Sequence, residues 1–290
     1  MSLRTGLLVL LVLAADLVRA APDAAVEGIQ LPAWVVRDGQ REPLDIDSQL
    51  KNNDELSTGR NSRLLLRLGD GSVVKLGESG KLKLSDLVQK RQEGFFAATL
   101  KVLEGALRFT TAAALKSRVT RDISVQFPSF SAGIHGTDIW GKNLGDKEVL
   151  VLIDGKIIVT RKGDRPVQMQ DRLTYLQVPK TGTATVEAVP MDQLKAWAAE
   201  TEIADGTGAL RKGGRWKLYL GNYRQQLEAL ALYDGLRREG YPVRIQPQQG
   251  EDGQIYRVRL AGFSSEQEAN ALGANLKQMI PSLEPIASLQ

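Results

Sequence analysis

Two stretches near the C-terminus share one pattern of apolar residues, and this pattern decides the fold of the region. Residues Gly214–Gly240 read GRWKLYLGNYRQQLEALALYDGLRREG, and residues Gln254–Ile280 read QIYRVRLAGFSSEQEANALGANLKQMI. In each stretch the apolar residues first alternate and then recur every three or four positions, which predicts a strand followed by a helix. The matched positions, all at one constant offset, are Trp216/Tyr256, Leu218/Val258, Leu220/Leu260, Tyr223/Phe263, Ala229/Ala269, Leu232/Leu272 and Leu236/Leu276.

Two further strands complete this predicted unit. One covers residues 241–246 and reaches the second copy through a hairpin turn at Glu251-Asp252-Gly253, and the other covers residues 283–287. The order β-α-β-β-α-β predicts a ferredoxin-like α+β domain over residues 214–290, with both helices on one side of a four-stranded sheet. Ser264 and Gln267 form a capping-box pattern that predicts the start of the second helix.

Alternation along these strands predicts which side chains face away from the helices. An exposed tyrosine ring can stack on a sugar ring, while guanidinium and amide groups donate hydrogen bonds to hydroxyl, acetamido or carboxylate oxygens. The face therefore suits a polar sugar chain; the alternative is a solvated charged surface in a domain that only holds a partner protein. The predicted side chains are Lys217, Tyr219, Arg244, Gln246, Ile255, Arg257 and Arg259.

The same residues resemble a known family. The segment Trp216–Tyr223 (WKLYLGNY), the pair Gly240-Tyr241, and the segment Tyr256–Leu260 (YRVRL) followed by Phe263 resemble a SPOR domain, the bacterial peptidoglycan-binding module. The resemblance implies that glycan strands lacking stem peptides bind on the exposed sheet face. It adds Asn222 to the predicted glycan contacts, at a position where SPOR domains often have Ser. Similarly, Tyr219 stands where they often have Gln.

The N-terminal region predicts an all-β domain over residues 25–187. Short apolar runs end at turn-forming Gly and Asp residues, for example at Asp38-Gly39, Gly69-Asp70-Gly71 and Asp154-Gly155. This spacing predicts a sandwich, a rolled sheet or a solenoid of short strands. Residues 85–91 interrupt the pattern, which predicts a surface excursion or a short helical turn.

Four separated motifs in this region resemble a FecR domain. They are Leu56–Gly59 with Arg63–Ser72, then Leu103–Phe109 (LEGALRF), Ala132–Trp140 (AGIHGTDIW) and Leu152–Val159. FecR domains are best known in regulators that pass an iron-uptake signal across the inner membrane, and they also occur in exported proteins. The resemblance therefore implies an alternative function, envelope signalling through a protein partner. Within the third motif, we expect Thr137 and Asp138 to bind turn amides.

A connecting segment, residues 188–213, separates the two predicted domains. Met191, Leu194, Trp197 and Ala198 form an apolar stripe that predicts a helix, which either packs on the β domain or bridges the two domains. The Gly-rich residues 205–214 predict a flexible linker.

The N-terminus predicts export. Residues 1–20 combine Arg4, an apolar run over residues 7–15 and small residues before a cleavage position, which is typical of a signal peptide. This predicts a periplasmic protein with no membrane span after cleavage, because the apolar run is too short to cross a bilayer. The chain of 290 residues has a formal charge of +4, too mild to indicate nucleic acid as a partner.

The composition excludes most catalytic chemistry. The chain has no cysteine, which excludes disulfides, thiol nucleophiles and thiolate metal sites, and His135 is its single histidine. We therefore predict no catalytic residue, metal or cofactor. Two distant carboxylates could still meet as in a glycan hydrolase, and RNA-binding domains share the C-terminal architecture. The favoured prediction is a non-enzymatic envelope protein that binds peptidoglycan, for example at division sites, with its β domain presented to a partner protein.

Overall fold

The computed structural model describes residues 23–112, 119–250 and 253–289. The predicted signal peptide at residues 1–20, and Glu251 and Asp252 of the predicted hairpin turn, lie outside the described residues. The described residues form an N-terminal β domain, a connecting segment and a C-terminal α+β domain. The predicted fold class is thereby confirmed.

The N-terminal domain consists of short strands that follow one another along the chain. In order they are β1 (Ala24–Gln30), β2 (Ala33–Arg37), β3 (Gln40–Pro43), β4 (Glu55–Thr58), β5 (Arg63–Leu68), β6 (Val73–Leu76), β7 (Lys81–Lys90), β8 (Phe95–Thr110), β9 (Thr120–Gln126), β10 (Phe130–Ile134), β11 (Asp138–Asn143), β12 (Lys147–Asp154), β13 (Ile157–Arg161), β14 (Val167–Met169), β15 (Thr174–Pro179) and β16 (Thr185–Ala188). The connecting segment adds α1 (Met191–Ala199) and β17 (Leu210–Arg211).

These strands form two sheets that share β8. The first sheet has the order β16-β15-β12-β11-β8-β6-β5-β1-β17, and the second has the order β3-β2-β4-β7-β8-β9-β10-β13-β14. Neighbouring strands are antiparallel except β8 and β9. The alternating burial of β5 and β7 shows that each sheet turns one face inward, and both inner faces contribute to one apolar core.

Strand β8 passes from one sheet to the other at a glycine. Its residues from Phe95 to Glu104 pair in the second sheet, and those from Gly105 onward pair in the first. Gly105 has a φ of +78°, and a Cβ there would lie 2.7 Å from the Cα of Gly80. A side chain is therefore excluded at this crossing by both the backbone conformation and the available space.

The predicted interruption at residues 85–91 is a distorted strand for most of its length. Strand β7 continues to Lys90, with a register shift between Ser85 and Val88 and a positive φ of 51° at Asp86. A short 3₁₀ turn follows at Arg91–Glu93, so the helical turn begins only where the predicted interval ends. A bulge inserts an extra residue without ending the pairing, which explains why the alternation is lost in the sequence.

Helix α1 packs on the outer face of the first sheet, which is the first of the two predicted arrangements. The ring of Trp197 stacks on Trp140 with centroids 5.0 Å apart, and Tyr175 meets it edge-on at 5.8 Å. Beyond the helix, Glu202 pairs with Lys75 at 2.5 Å and with Arg108 at 3.1 Å. The helix and the residues after it therefore cover this sheet with both apolar and charged contacts.

The Gly-rich residues that were predicted as a flexible linker carry specific contacts. Leu210 and Arg211 form β17, which pairs with β1 of the N-terminal domain. The carboxylate of Glu268, from the C-terminal domain, accepts hydrogen bonds from three backbone N–H groups of this segment. They are those of Gly206 at 2.6 Å, Gly208 at 2.7 Å and Ala209 at 3.0 Å. The segment is thus attached to both domains.

The C-terminal domain has the predicted β-α-β-β-α-β order. Its elements are β18 (Trp216–Tyr223), α2 (Gln226–Arg238), β19 (Arg244–Gly250), β20 (Gly253–Phe263), α3 (Glu266–Met279) and β21 (Ile286–Leu289). The strands form an antiparallel sheet in the order β19-β20-β18-β21. The predicted cap of α3 is wrong by one residue, because Ser265, rather than Ser264, accepts the hydrogen bond from the N–H of Glu268 at 3.2 Å.

Candidate functional site

The C-terminal sheet has one face covered by helices and one that they leave exposed. Helices α2 and α3 both contact β18 and β20, the two central strands. The apolar residues that alternate along these strands, Leu218, Leu220, Val258 and Leu260, are buried beneath the helices. The intervening residues therefore lie on the opposite side, which we call the open face.

A first row of side chains crosses all four strands of the open face. Arg259 pairs with Arg244 on one side and with Tyr219 on the other, and Tyr219 pairs in turn with Ile286. Directly opposed residues on one face have Cβ atoms about 4.5–5.5 Å apart, so these four side chains are neighbours. Ile286 is 61% exposed. The row thus joins two guanidinium groups to an aromatic and apolar surface.

A second row lies beside the first and is connected to it by side-chain contacts. Here Arg257 pairs with Gln246 and with Asn222. The guanidinium of Arg257 lies over the ring of Tyr219, 5.6 Å from its centroid. The Nε of Arg259 donates to the Oε1 of Gln246 at 2.8 Å. Both arginines are therefore held in place by neighbours on the same face.

Asn222 reaches the open face because of a bulge. The register shifts between Tyr219 and Gly221, so that Asn222 is opposite Arg257 although Tyr219 is opposite Arg259. Strict alternation from Tyr219 would turn Asn222 toward the helices. The extra residue reverses that orientation and leaves Asn222 exposed.

The remaining predicted residues lie at the two ends of the same face. Lys217 pairs with Ala261 and Ser288 beyond the first row, and Ile255 pairs with Gln248 beyond the second. The structure therefore brings all eight predicted side chains onto the open face, in four successive rows.

Sequence reasoning missed four residues that share this face, namely Gln248 of β19, Ala261 of β20, and Ile286 and Ser288 of β21. The pairing register identifies them, since each lies directly opposite a residue that was predicted. The predicted last strand ended at residue 287, and its side chains were not assigned to either face of the sheet. Only the position of β21 beside β18 shows that Ile286 extends the surface next to Tyr219.

The open face is electrostatically positive. Among the eight predicted residues, the charged ones are Lys217, Arg244, Arg257 and Arg259, and none is acidic. Within the described chain, the Nε of Arg257 is shielded from solvent and has no hydrogen-bond partner. This surface is suited to ligands that carry carboxylate or other acceptor oxygens.

Comparison with protein families agrees with this geometry. The family model described as the SPOR domain matches residues 212–283, and the one described as the FecR protein matches residues 54–158. The chain contains a FecR domain followed by a SPOR domain. Both predicted families are thereby confirmed, in the predicted order. SPOR domains bind peptidoglycan, and neither family is catalytic: both are binding or signalling domains.

Two crystal structures of a candidate anti-sigma factor from Parabacteroides distasonis are similar to the chain. They are 14% and 13% identical to it, each with a TM-score of 0.40. Each alignment covers 81% of this chain, and the two alignments cover 99% and 98% of the solved chains, respectively. No curated protein matches this chain.

The motifs of the FecR domain serve packing and ion pairing. A Cβ on Gly155, whose φ is +94°, would lie 2.9 Å from the Cα of Thr137, so two motifs pack tightly against each other. The carboxylate of Asp138 accepts hydrogen bonds from Arg108 at 3.0 and 2.8 Å. These bonds are the main reason that the pKa of Arg108 is raised above its ordinary value. The expectation that Thr137 and Asp138 bind turn amides is therefore wrong for both, since Asp138 binds Arg108 and the buried hydroxyl of Thr137 has no hydrogen-bond partner among the described residues.

The described residues were compared with the requirements of a metal site and of a membrane span. Within residues 23–112, 119–250 and 253–289, no group of three or more His, Asp or Glu side chains could hold a metal ion. His135 is exposed immediately after β10 of the FecR domain. None of the helices in the described part of the chain is both long and apolar enough to cross a membrane.

The FecR and SPOR domains touch near one edge of the open face. The backbone N–H of Ala33 donates to the carbonyl of Gly240 at 3.3 Å, and the Nε1 of Trp34 donates to the carbonyl of Arg238, also at 3.3 Å. Arg244, in the first row, forms an ion pair with Asp45 of the FecR domain at 2.5 Å. The open face is therefore bordered at this edge by a second domain.

Proposed function

We propose that this chain is a non-enzymatic, periplasmic protein of the cell envelope that binds peptidoglycan glycan strands through the open face of its SPOR domain. The observation that carries this proposal is the open face itself, which lies in a SPOR domain and gathers four cations, a half-buried tyrosine and two amides. The signal-peptide pattern at residues 1–20 supports export.

The chemistry of the face fits a glycan strand without stem peptides. The ring of Tyr219 offers a flat apolar surface for a sugar ring, and Ile286 enlarges it. Arg257 and Arg259 can donate hydrogen bonds to acetamido oxygens and to the lactyl carboxylates that are bare once the stem peptides have been removed. Because both arginines are already held by neighbours on the face, their ordering on binding costs little further entropy.

The test is sedimentation of the full chain with purified sacculi. We expect a variant with Tyr219→Ala, Arg257→Ala and Arg259→Ala to lose at least about tenfold in retention, because it lacks two charge-assisted donors and the stacking ring. The matched control carries Arg237→Ala and Lys277→Ala, which remove two positive charges from α2 and α3 on the covered side. The control should be retained like the wild type. Equal retention of the triple variant would remove the open face from consideration.

Within this proposal, the SPOR domain carries the FecR domain to sites where bare glycan strands are abundant, such as division sites. The FecR domain then presents a second surface to a partner protein in the envelope.

A second candidate function is envelope signalling through a protein partner, and the FecR match at residues 54–158 favours it. The two candidates differ in what retains the chain in the envelope. Retention by purified sacculi, which contain no protein partner, supports the first. Retention by whole envelopes but not by sacculi supports the second.

A further inference from the structure

One carboxylate of the FecR domain occupies part of the open face. Asp45 lies in the loop that follows β3, and its Oδ2 accepts a hydrogen bond from a terminal nitrogen of Arg244 at 2.5 Å. Arg244 pairs with Arg259 in the first row of the face. One guanidinium group of the surface that is proposed to bind glycan is therefore already hydrogen-bonded to the FecR domain.

The loop around Asp45 is built to hold this carboxylate in place. The Oδ1 of Asp45 accepts a hydrogen bond from the N–H of Ile46 at 2.8 Å, and the N–H of Asp45 donates to the hydroxyl of Ser48 at 3.2 Å. The preceding residue, Leu44, is fully buried. One carboxylate oxygen thus fixes the loop, and the other is directed at Arg244.

The ion pair is accessible to a ligand. The side chain of Arg244 is 66% exposed and that of Asp45 is 25% exposed. A cavity of about 200 Å³ adjoins the pair and is lined in part by Asp45, Arg244, Arg259 and Arg211. An acidic group of a ligand can therefore approach Arg244 next to Asp45 and compete for the same guanidinium.

We propose that Asp45 competes with ligand carboxylates for Arg244, so that the FecR domain sets the ligand preference of the SPOR domain. This inference rests on the proposed function. A glycan strand with free lactyl carboxylates must displace Asp45 to reach Arg244 fully. A neutral glycan makes no such exchange. The contact therefore lowers the affinity for acidic glycan strands relative to neutral ones.

The expected effect is modest because the ion pair is partly solvated. Exposed pairs are weak, so removal of the competing charge should raise binding of an acidic glycan about two- to fivefold. Asp45→Asn is the suitable change, since the amide oxygen can still accept the hydrogen bond from Ile46. Asp47→Asn is the matched control, because it removes the same charge from the same loop, but its partner is Lys212, which is not one of the open-face residues.

The experiment measures binding of the full chain to two probes. One is sacculi treated with an amidase that removes the stem peptides, and the other is a soluble oligomer of N-acetylglucosamine, which is neutral. We expect Asp45→Asn to bind the treated sacculi two- to fivefold more tightly than the wild type and to bind the oligomer equally. Asp47→Asn should match the wild type on both probes.

Several outcomes would overturn the proposal. They are unchanged or weaker binding of treated sacculi by Asp45→Asn, an equal gain on both probes, or a gain that persists when Arg244→Ala is also present. Failure of the proposed function itself looks different. In that case the wild type and the Tyr219, Arg257 and Arg259 triple variant are retained equally by sacculi.

Discussion

Two sheet faces of this protein carry arginine and lysine, and they use them in opposite ways. On the outer face of the first FecR sheet, Lys75, Arg108 and Lys142 each have an acidic partner, and α1 or the residues after it supply most of these partners. These pairs are Lys75–Glu202, Arg108–Asp138, Arg108–Glu202 and Lys142–Glu200. On the open face of the SPOR sheet, the single ion pair among the described contacts is Arg244 with Asp45, which comes from the other domain.

This difference shows that residue type does not by itself reveal function. Where an amphipathic helix and two glutamates follow the FecR sheet in the chain, three cations of that sheet are paired and covered. A sheet whose two helices both lie on the other side keeps its cations available. If this comparison is correct, changes on the covered face should affect stability, and changes on the open face should affect ligand binding.

The largest expected effect is loss of packing under α1. Trp140 is 1% exposed and stacks on Trp197, so Trp140→Ala should lower the free energy of unfolding by about 3–5 kcal/mol. Tyr219→Ala on the open face should change it by less than about 0.5 kcal/mol. Urea denaturation of the two full-length variants measures both values. Similar losses in the free energy of unfolding for the two variants would contradict the proposed difference between the covered face and the open face.

Arg108 on the covered face and Arg257 on the open face should also differ in their contribution to stability, by a smaller amount. Arg108→Ala leaves the partly buried carboxylate of Asp138 without its main partner, and we expect a loss of about 2 kcal/mol, between the values for exposed and buried pairs. Combining it with Asp138→Ala should recover part of that loss. Arg257→Ala should leave the urea midpoint almost unchanged while weakening retention by sacculi. A large loss of stability from Arg257→Ala would contradict the assignment of this arginine to ligand binding.

The smallest expected effect concerns the segment between the two faces. Glu268→Gln removes the charge that three backbone N–H groups share, so we expect a loss of about 1–2 kcal/mol and faster hydrogen exchange at Gly206, Gly208 and Ala209. Glu266→Gln, in the first turn of the same helix, is the control. Unchanged exchange at these three amides would show that Glu268 does not hold the segment.

The sequence predicted much of the SPOR domain because its signals are local. The strand and helix periods predicted the element order, and alternation predicted the side of Tyr219, Arg257 and Arg259. Alternation alone places Asn222 on the covered side, and only the family resemblance added it to the predicted contacts, since a single bulged residue reverses the orientation of every side chain after it. The cap of α3 was misplaced because two capping-box patterns overlap. Ser264 with Gln267 and Ser265 with Glu268 have the same spacing, and the structure uses Ser265.

For the FecR domain, the sequence predicted the strands but not how these strands are arranged in sheets. Asp-Gly turns identify where strands end, but they carry no information on which strands pair. The transfer of β8 between the sheets depends on contacts between Gly105 and Gly80, which are distant in the sequence.

By itself, the sequence determined the two domain families, the order of the elements and the side of the SPOR sheet on which most cations lie. These properties follow from residue periodicity and from motifs read over a few neighbouring positions. Only the tertiary structure decided that α1 covers the FecR sheet, that β21 adds Ile286 to the open face, and that Asp45 meets Arg244. Each of these contacts joins residues far apart in the chain, so it depends on how complete sheets and domains pack and leaves no local pattern.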